Sequence, residues 1–315
     1  MGVLSALYIA SGVAVFILGM YIIKYALEKN YGKKLEGILT RFTGNRFSAV
    51  LTGALVTFMM QSSSASSVLT AAFVDSGYIS LYKAFWIIVG ANAGTTFTGL
   101  FTALDISLYA PVLLVPGILI ISVCKKENLV NKGLLITGIG LIFTWLGFMG
   151  NSVEEIKNMH FLWEVLSMCS SPVTGITVGA FITAVIQSSS AVTAILQTLA
   201  SGGFIGIRQA FFIILGSNIG TCGTSAIASM GLKNGAKKVA LLHIVYNLAG
   251  VLLFLAVALI FPLPEFIENT FPSGIKTQIA VINIVFNAAS AVLALMLPVR
   301  EGNAVRFAKK QPAKV

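Results

Sequence analysis

The chain has 315 residues, of which 57% are hydrophobic and only 10% charged, with a mean hydropathy of +0.91. A soluble domain carries roughly 25% charged residues, so most of this surface faces lipid, which excludes a cytosolic enzyme, a nucleic-acid-binding module and a disulfide-stapled secreted domain. The net charge of +10 is read as Lys and Arg gathered in cytoplasmic loops rather than as a nucleic-acid footprint, and Cys124, Cys169 and Cys222 imply neither a disulfide framework nor a metal site.

The run from Gly2 to Ile23 has no basic leader and is longer than a signal-peptide core, so it is expected to stay in place as a first membrane helix. Phe47 to Leu104 is too long for one helix and is interrupted by Ser, Gly, Asn and Thr. Ser48 to Met60 reaches about 20 Å at 1.5 Å per residue, past a bilayer midplane but not across. The polar run Gln61-Ser62-Ser63-Ser64 follows, and the chain returns through Ala65 to Val74 toward Asp75 and Lys83. The full crossing falls to Ala84–Leu104, with a break expected at Asn92-Ala93-Gly94-Thr95-Thr96. Leu108–Val123, with Pro111 and Pro116, and Gly133–Gly150 read as plain helices. Pro172 to Met230 is again interrupted: Val173–Ile186, then Gln187-Ser188-Ser189-Ser190, a return to Arg208 and a crossing broken at Asn218–Thr221. Val239–Phe261 and Thr277–Leu297 are plain helices.

The two interrupted regions are copies. Residues 53–98 align with 179–224 without a gap at an offset of 126, with 19 identities in 46 positions. Basic residues cluster at Lys24–Arg46, Lys125–Lys132, Lys233–Lys238 and Arg300–Lys314, whereas the loops holding Asp105, Glu154 with Glu155, and Glu265 with Glu268 are poor in them. The positive-inside rule then places the N-terminus outside, the C-terminus in the cytoplasm, and the copies in opposite orientations. The expected architecture is an all-α polytopic protein of the cytoplasmic membrane with two inverted-topology repeats, each a re-entrant helical hairpin plus a broken transmembrane helix. Its parts are a first repeat (1–124), a cytoplasmic linker (125–132), a second repeat (133–261), an extra C-terminal helix with its external loop (262–299) and a basic tail (300–315). Inverted repeats with discontinuous midplane helices are the architecture of secondary transporters.

The residue types suit a buried ionic ligand. Backbone groups left unpaired in a bilayer are costly unless they face protein or a cavity. Hydroxyls of Ser62, Ser63, Ser64, Ser188, Ser189 and Ser190 can donate to an oxyanion or ligate a cation. The amide oxygens of Gln61, Gln187, Asn92 and Asn218 suit a hard cation, and half-helix N-termini after each tip favour an anion. Neither tip carries a basic side chain, so the charge of a bound anion would be balanced by a cation and backbone N–H groups. Asp105 is the acidic side chain near the end of a crossing and is read as a loop residue, with ligation of a cation as the alternative. His243, Asn247 and Asn287 lie in apolar helices and are candidates for the surrounding shell. Cys222 stands where the first copy has Thr96, so the halves are not chemically equivalent.

Paired Gln-Ser-Ser-Ser motifs, each followed by Gly-Ala/Ser-Asn-x-Gly-Thr, resemble the sodium/phosphate cotransporter family. So do Gly12 to Met20 and Ala240-Leu241-Leu242-His243-Ile244-Val245-Tyr246-Asn247; a related segment, Ala280–Asn287, has Asn283 in place of the His. The resemblance implies phosphate held by the two tips, Gln61–Ser64 and Gln187–Ser190. It also implies sodium held by Gln61, Ser64, Asn92, Thr95, Thr96, Gln187, Ser190, Asn218 and Thr221. Some members carry a cytoplasmic regulatory domain after the last helix, which a sequence ending at Val315 is expected to lack. The expected activity is sodium-coupled symport of inorganic phosphate by alternating access, with sodium as coupling ion and no other cofactor. The alternatives are another oxyanion or a small carboxylate as substrate, or an anion channel. No enzyme is expected, because neither Ser run has a His or carboxylate beside it to act as general base. The partners are phosphate, sodium and the lipid bilayer, with no nucleic acid; a homo-oligomer is compatible with the sequence.

Overall fold

Capping and turn chemistry cut the apolar sequence into helices. In a computed structural model describing residues 2–104, 109–151, 160–231 and 234–298, every regular element among the described residues is a helix. They are α1 (Gly2–Arg41), α2 (Arg46–Met60), α3 (Ser63–Asp75), α4 (Leu81–Ala103), α5 (Ala110–Val123), α6 (Glu127–Asn151), α7 (His160–Met168), α8 (Pro172–Ile186), α9 (Ser189–Ser201), α10 (Ile207–Met230), α11 (Asn234–Ile260), α12 (Leu263–Thr270) and α13 (Ile275–Met296). Asn45 and Ser48 form a reciprocal capping box at the start of α2, Ser80 caps α4, and Pro172 sits in the first turn of α8, where its missing N–H costs nothing. Six helices among the described residues are long and apolar enough to cross a membrane, those within 11–41, 81–103, 127–147, 207–227, 234–260 and 275–296. Asp105, Glu154, Glu155 and the basic tail lie outside the described residues.

The starts of α2, α3 and α4 recur in α8, α9 and α10 at the same offset of 126. Glycines with left-handed backbone recur too, Gly77 at φ 76° and Gly203 at φ 78°, each in the turn after a hairpin.

Three elements differ from the sequence expectation. The first helix continues past Ile23 to Arg41, with Leu35 and Leu39 fully buried on its second half. Helix α6 begins at Glu127, so the expected linker is helical from there on. Most consequentially, α4 and α10 run unbroken through Asn92–Thr96 and Asn218–Thr221. The small and polar residues there serve close packing. A Cβ on Gly53, Gly90 or Gly94 would overlap a carbonyl oxygen of the facing helix, those of Ile87, Val50 and Ala54 respectively. Gly179, Gly216 and Gly220 repeat the relation against Ile213, Ile176 and Ala180. Such small-residue seams let helix backbones approach closely in membranes. The polar side chains turn back on their own helix: Thr95 donates to Asn92 O (2.7 Å), Thr96 to Ala93 O (2.7 Å), Thr221 to Ser217 O (2.9 Å) and the Asn218 amide to Ile214 O (2.9 Å).

Gly90→Ala is therefore expected to lower the melting temperature in detergent. The overlap with Val50 requires the backbones to part, at about 1–3 kcal/mol or more, against a helix-propensity gain of at most about 1 kcal/mol. Gly37→Ala, whose Cβ meets nothing within 4 Å, should be neutral or stabilising. Equal melting temperatures for the two variants would refute the seam.

Helix α11 packs on α10 and α3, and α13 packs on α4 and α9, so each hairpin is braced by a long helix from the C-terminal third. Helix α13, expected as an addition, is thus part of the central packing. Helix α6 packs against both α1 and α5.

Candidate functional site

Gln61 and Gln187 end α2 and α8 in left-handed backbone, at φ 51° and 60°, and no other described non-glycine residue has positive φ. Gln61 is held there by its own amide: Nε2 donates to Phe58 O (2.6 Å), and Oε1 accepts from Thr98 (2.7 Å) on α4. Ser62 and Ser188 follow in extended backbone, and their hydroxyls accept from the N–H of Ala65 (3.1 Å) and Ala191 (3.2 Å). The first serine of each motif is therefore an N-cap. The N–H groups of Ser63 and Ser64, and of Ser189 and Ser190, are left as the free donors of two helix N-termini.

All eight residues, Gln61 to Ser64 and Gln187 to Ser190, line one cavity of about 210 Å³, together with Thr95 of α4, Ile186 of α8, and Ile17, Met20, Tyr21 and Lys24 of α1. Two positive helix ends thus meet at one place, an arrangement that favours negative charge. Ser64 accepts a hydrogen bond from Thr224 of α10 (2.7 Å), whereas among the described residues no protein partner engages the hydroxyls of Ser63, Ser189 or Ser190, and Thr193 donates to the Ser189 carbonyl (3.0 Å). The Asn92, Thr96, Asn218 and Thr221 side chains do not line this cavity.

Asn92 and the Asn218 carbonyl belong instead to a buried network, while the Thr96 and Thr221 hydroxyls stay on their own helices. His243, fully buried, joins Asn92 Oδ1 through Nε2 (3.2 Å) and Ser225 through Nδ1 (3.1 Å). Asn247 accepts from the Asn92 amide, and its own amide donates to Asn218 O (2.9 Å) and Cys222 Sγ (3.0 Å). The His and Asn of α11 therefore link the two Asn-x-Gly-Thr elements directly. Asn287, on α13, donates to Asn283 within its own helix.

A larger cavity of about 660 Å³ opens from the tips between α1 and α3, lined by Lys24, Glu28 and Glu36 on one side and Ala65, Val68 and Ala72 on the other. On α1 its lining extends from Lys24 to Glu36, and on α3 from Ser64 to Ala72. The other copy is closed: Ala191, Ala194 and Thr198, counterparts of Ala65, Val68 and Ala72, are buried, and α9 packs against α6. Gln197, fully buried, accepts from Thr102 (2.7 Å) and donates to Gly99 O (2.8 Å) and Lys276 O (3.1 Å), tying α9 to α4 and α13. Its counterpart is Ala71.

Sequence reasoning missed Lys24 and Gln197. Lys24 was grouped with the cytoplasmic basic cluster but lies on the wall of the tip cavity. Its spacing to Glu28 was the available signal. Gln197 could have been found as a polar residue standing opposite an alanine in the repeat alignment.

Comparison with known proteins gives the following. The sequence model of a family described as Na+/Pi-cotransporter matches twice, over residues 15–151 and 146–261. The uncharacterized protein YqeW of Bacillus subtilis is 32% identical over 286 residues, 90% of this chain and 91% of YqeW. YjbB of Escherichia coli, a protein named for inorganic phosphate export, is 26% identical over 253 residues, 80% of this chain and 47% of YjbB. The sodium-dependent phosphate transport protein 2C of Mus musculus is 33% identical over 177 residues, 55% of this chain and 26% of that protein. The chain thus spans most of YqeW but less than half of YjbB and about a quarter of 2C. No solved structure matches it.

Proposed function

We propose that this chain, which belongs to the Na+/Pi-cotransporter family, carries inorganic phosphate across the membrane together with sodium by alternating access. The protein is a multi-pass membrane protein of a transporter family. The observation that carries the finer reading is the single cavity lined by both Gln-Ser-Ser-Ser tips at two facing helix N-termini. Free N–H groups and the Ser63, Ser189 and Ser190 hydroxyls would bind phosphate oxygens, and bound sodium would offset its charge. The amide oxygen of Gln187 and the Thr95 hydroxyl, from residues that line the same cavity, would contribute to a cation shell. Asn92 and Asn218, engaged in the buried network, would reach sodium only by exchanging those partners. The α2–α3 and α8–α9 hairpins are read as re-entrant from opposite faces. The open cavity along α3 then faces the cytoplasm, and the closed α9 side faces outward. Access would alternate by closing the first gap and opening the second.

YjbB is named for export and 2C for sodium-dependent transport. A coupled site runs in either direction, set by the gradients, so both names fit one mechanism. Labelled phosphate flux in proteoliposomes tests it: flux should follow an imposed sodium gradient in either direction, and a proton gradient in sodium-free medium should drive none. Among the described residues Lys24 is the charged side chain that lines the tip cavity, and the Glu28 and Glu36 carboxylates line the larger cavity beside it, so the sodium-free arm decides whether a proton can replace sodium. Proton-driven flux without sodium would overturn the coupling, and sodium-independent flux that never saturates would favour a channel. Competition by sulfate or a small carboxylate stronger than by phosphate would reassign the substrate.

A further inference from the structure

Lys24 stands where the phosphate reading has no counter-charge from the protein. Helix α1 is continuous, so Lys24 lies 17 residues before Arg41, about 25 Å from that basic helix end at 1.5 Å per residue. The tips lie at a similar distance from Arg46, since α2 runs 15 residues from it, about 22 Å. An ionisable side chain beside these tips is costly unless it faces a partner or a water-filled cavity. Lys24 has both. It lines the tip cavity and the larger cavity that leads to it, so an anion approaching along α3 meets it at the junction. Its partner is Glu28, one turn away, with Nζ–O 3.9 Å and side chains 38% and 42% exposed. That distance is at the outer limit of an ion pair, and the pair is half in solvent, where water screens it.

We propose that Lys24 is an anion-binding residue of the tip cavity, leaving Glu28 for a phosphate oxygen when the site loads. This rests on the phosphate reading. Lysine suits the exchange because its ammonium is a compact charge with three rotatable donors on a flexible stem, so it changes partner without a fixed fork geometry. With phosphate gone, Glu28 takes the charge back, and the unloaded site carries no unpaired cation. The exchange predicts that the two residues have opposite effects on phosphate, although they form one pair.

The test is calorimetric phosphate binding to purified wild type, K24Q, K24R and E28Q in saturating sodium, with sodium binding in phosphate-free buffer measured by thermal shift. K24Q should weaken phosphate about tenfold or more, the scale of a lost charge-assisted hydrogen bond, without weakening sodium. K24R should stay within a few-fold of wild type, and E28Q should bind phosphate as tightly as wild type or tighter. Wild-type phosphate affinity in K24Q would overturn the assignment. Equal weakening of phosphate and sodium in both K24Q and E28Q would also overturn it, by showing that the pair only holds α1 in place. No phosphate binding by wild type would instead overturn the phosphate reading, and this proposal with it.

Discussion

Ser63→Ala and Ser189→Ala are each expected to lower sodium-dependent phosphate binding about ten- to a hundredfold at matched thermal stability. Each hydroxyl sits at a helix N-terminus in the shared cavity and is not used by the described fold, so its loss falls on the ligand. A hydrogen bond to a charged group contributes about 1.5–3 kcal/mol, and each 1.4 kcal/mol is tenfold in affinity. Neither copy can compensate for the other if the two tips form one binding shell. The neighbouring serines supply the contrast. Ser62→Ala and Ser188→Ala remove N-caps and should first lower stability, by about 0.5–2 kcal/mol. Isothermal titration with phosphate, beside melting curves of all four variants, separates the two effects. Wild-type affinity in both Ser63→Ala and Ser189→Ala would end the claim that the tips converge on the substrate.

Gln197→Leu is expected to open the closed side of the molecule. The substitution keeps the volume but strips hydrogen bonds from Thr102, Gly99 O and Lys276 O. Each of these three bonds contributes about 0.5–1.5 kcal/mol, and their loss falls only on the state in which α9 is packed against α4 and α13. The population should therefore shift tenfold or more toward the state with α9 released. Ala194 is the reporter: it is fully buried, while its counterpart Val68 lines the large cavity. In a background without Cys124, Cys169 and Cys222, a cysteine at position 194 should react with an impermeant thiol reagent at least tenfold faster when Gln197→Leu is present. An unchanged rate would reduce Gln197 to a packing residue and remove this support for alternating access.

What the amino-acid sequence determined by itself is local chemistry repeated at a fixed spacing. Apolar runs and caps located the helices and the two Gln-Ser-Ser-Ser tips. The offset of 126 paired the tips, because a glutamine in left-handed backbone followed by a serine N-cap is set mainly by neighbours within three residues, Phe58 and Ala65 at the first tip. The unbroken course of α4 and α10 was not legible. Gly, Asn and Thr in a membrane segment serve either an unwound ligand site or a close helix seam, and the choice is made by what packs opposite, here α2 and α8 carrying Gly53 and Gly179. Lys24 and Gln197 were hidden for the same reason. Lys24 meets the second tip across more than 160 residues of sequence, and Gln197 bonds to Gly99 and Thr102 nearly a hundred residues earlier. Caps and turns are short-range interactions that a sequence carries in place, whereas cavities, seams and latches exist only once distant helices share a surface, and that only the tertiary structure decided.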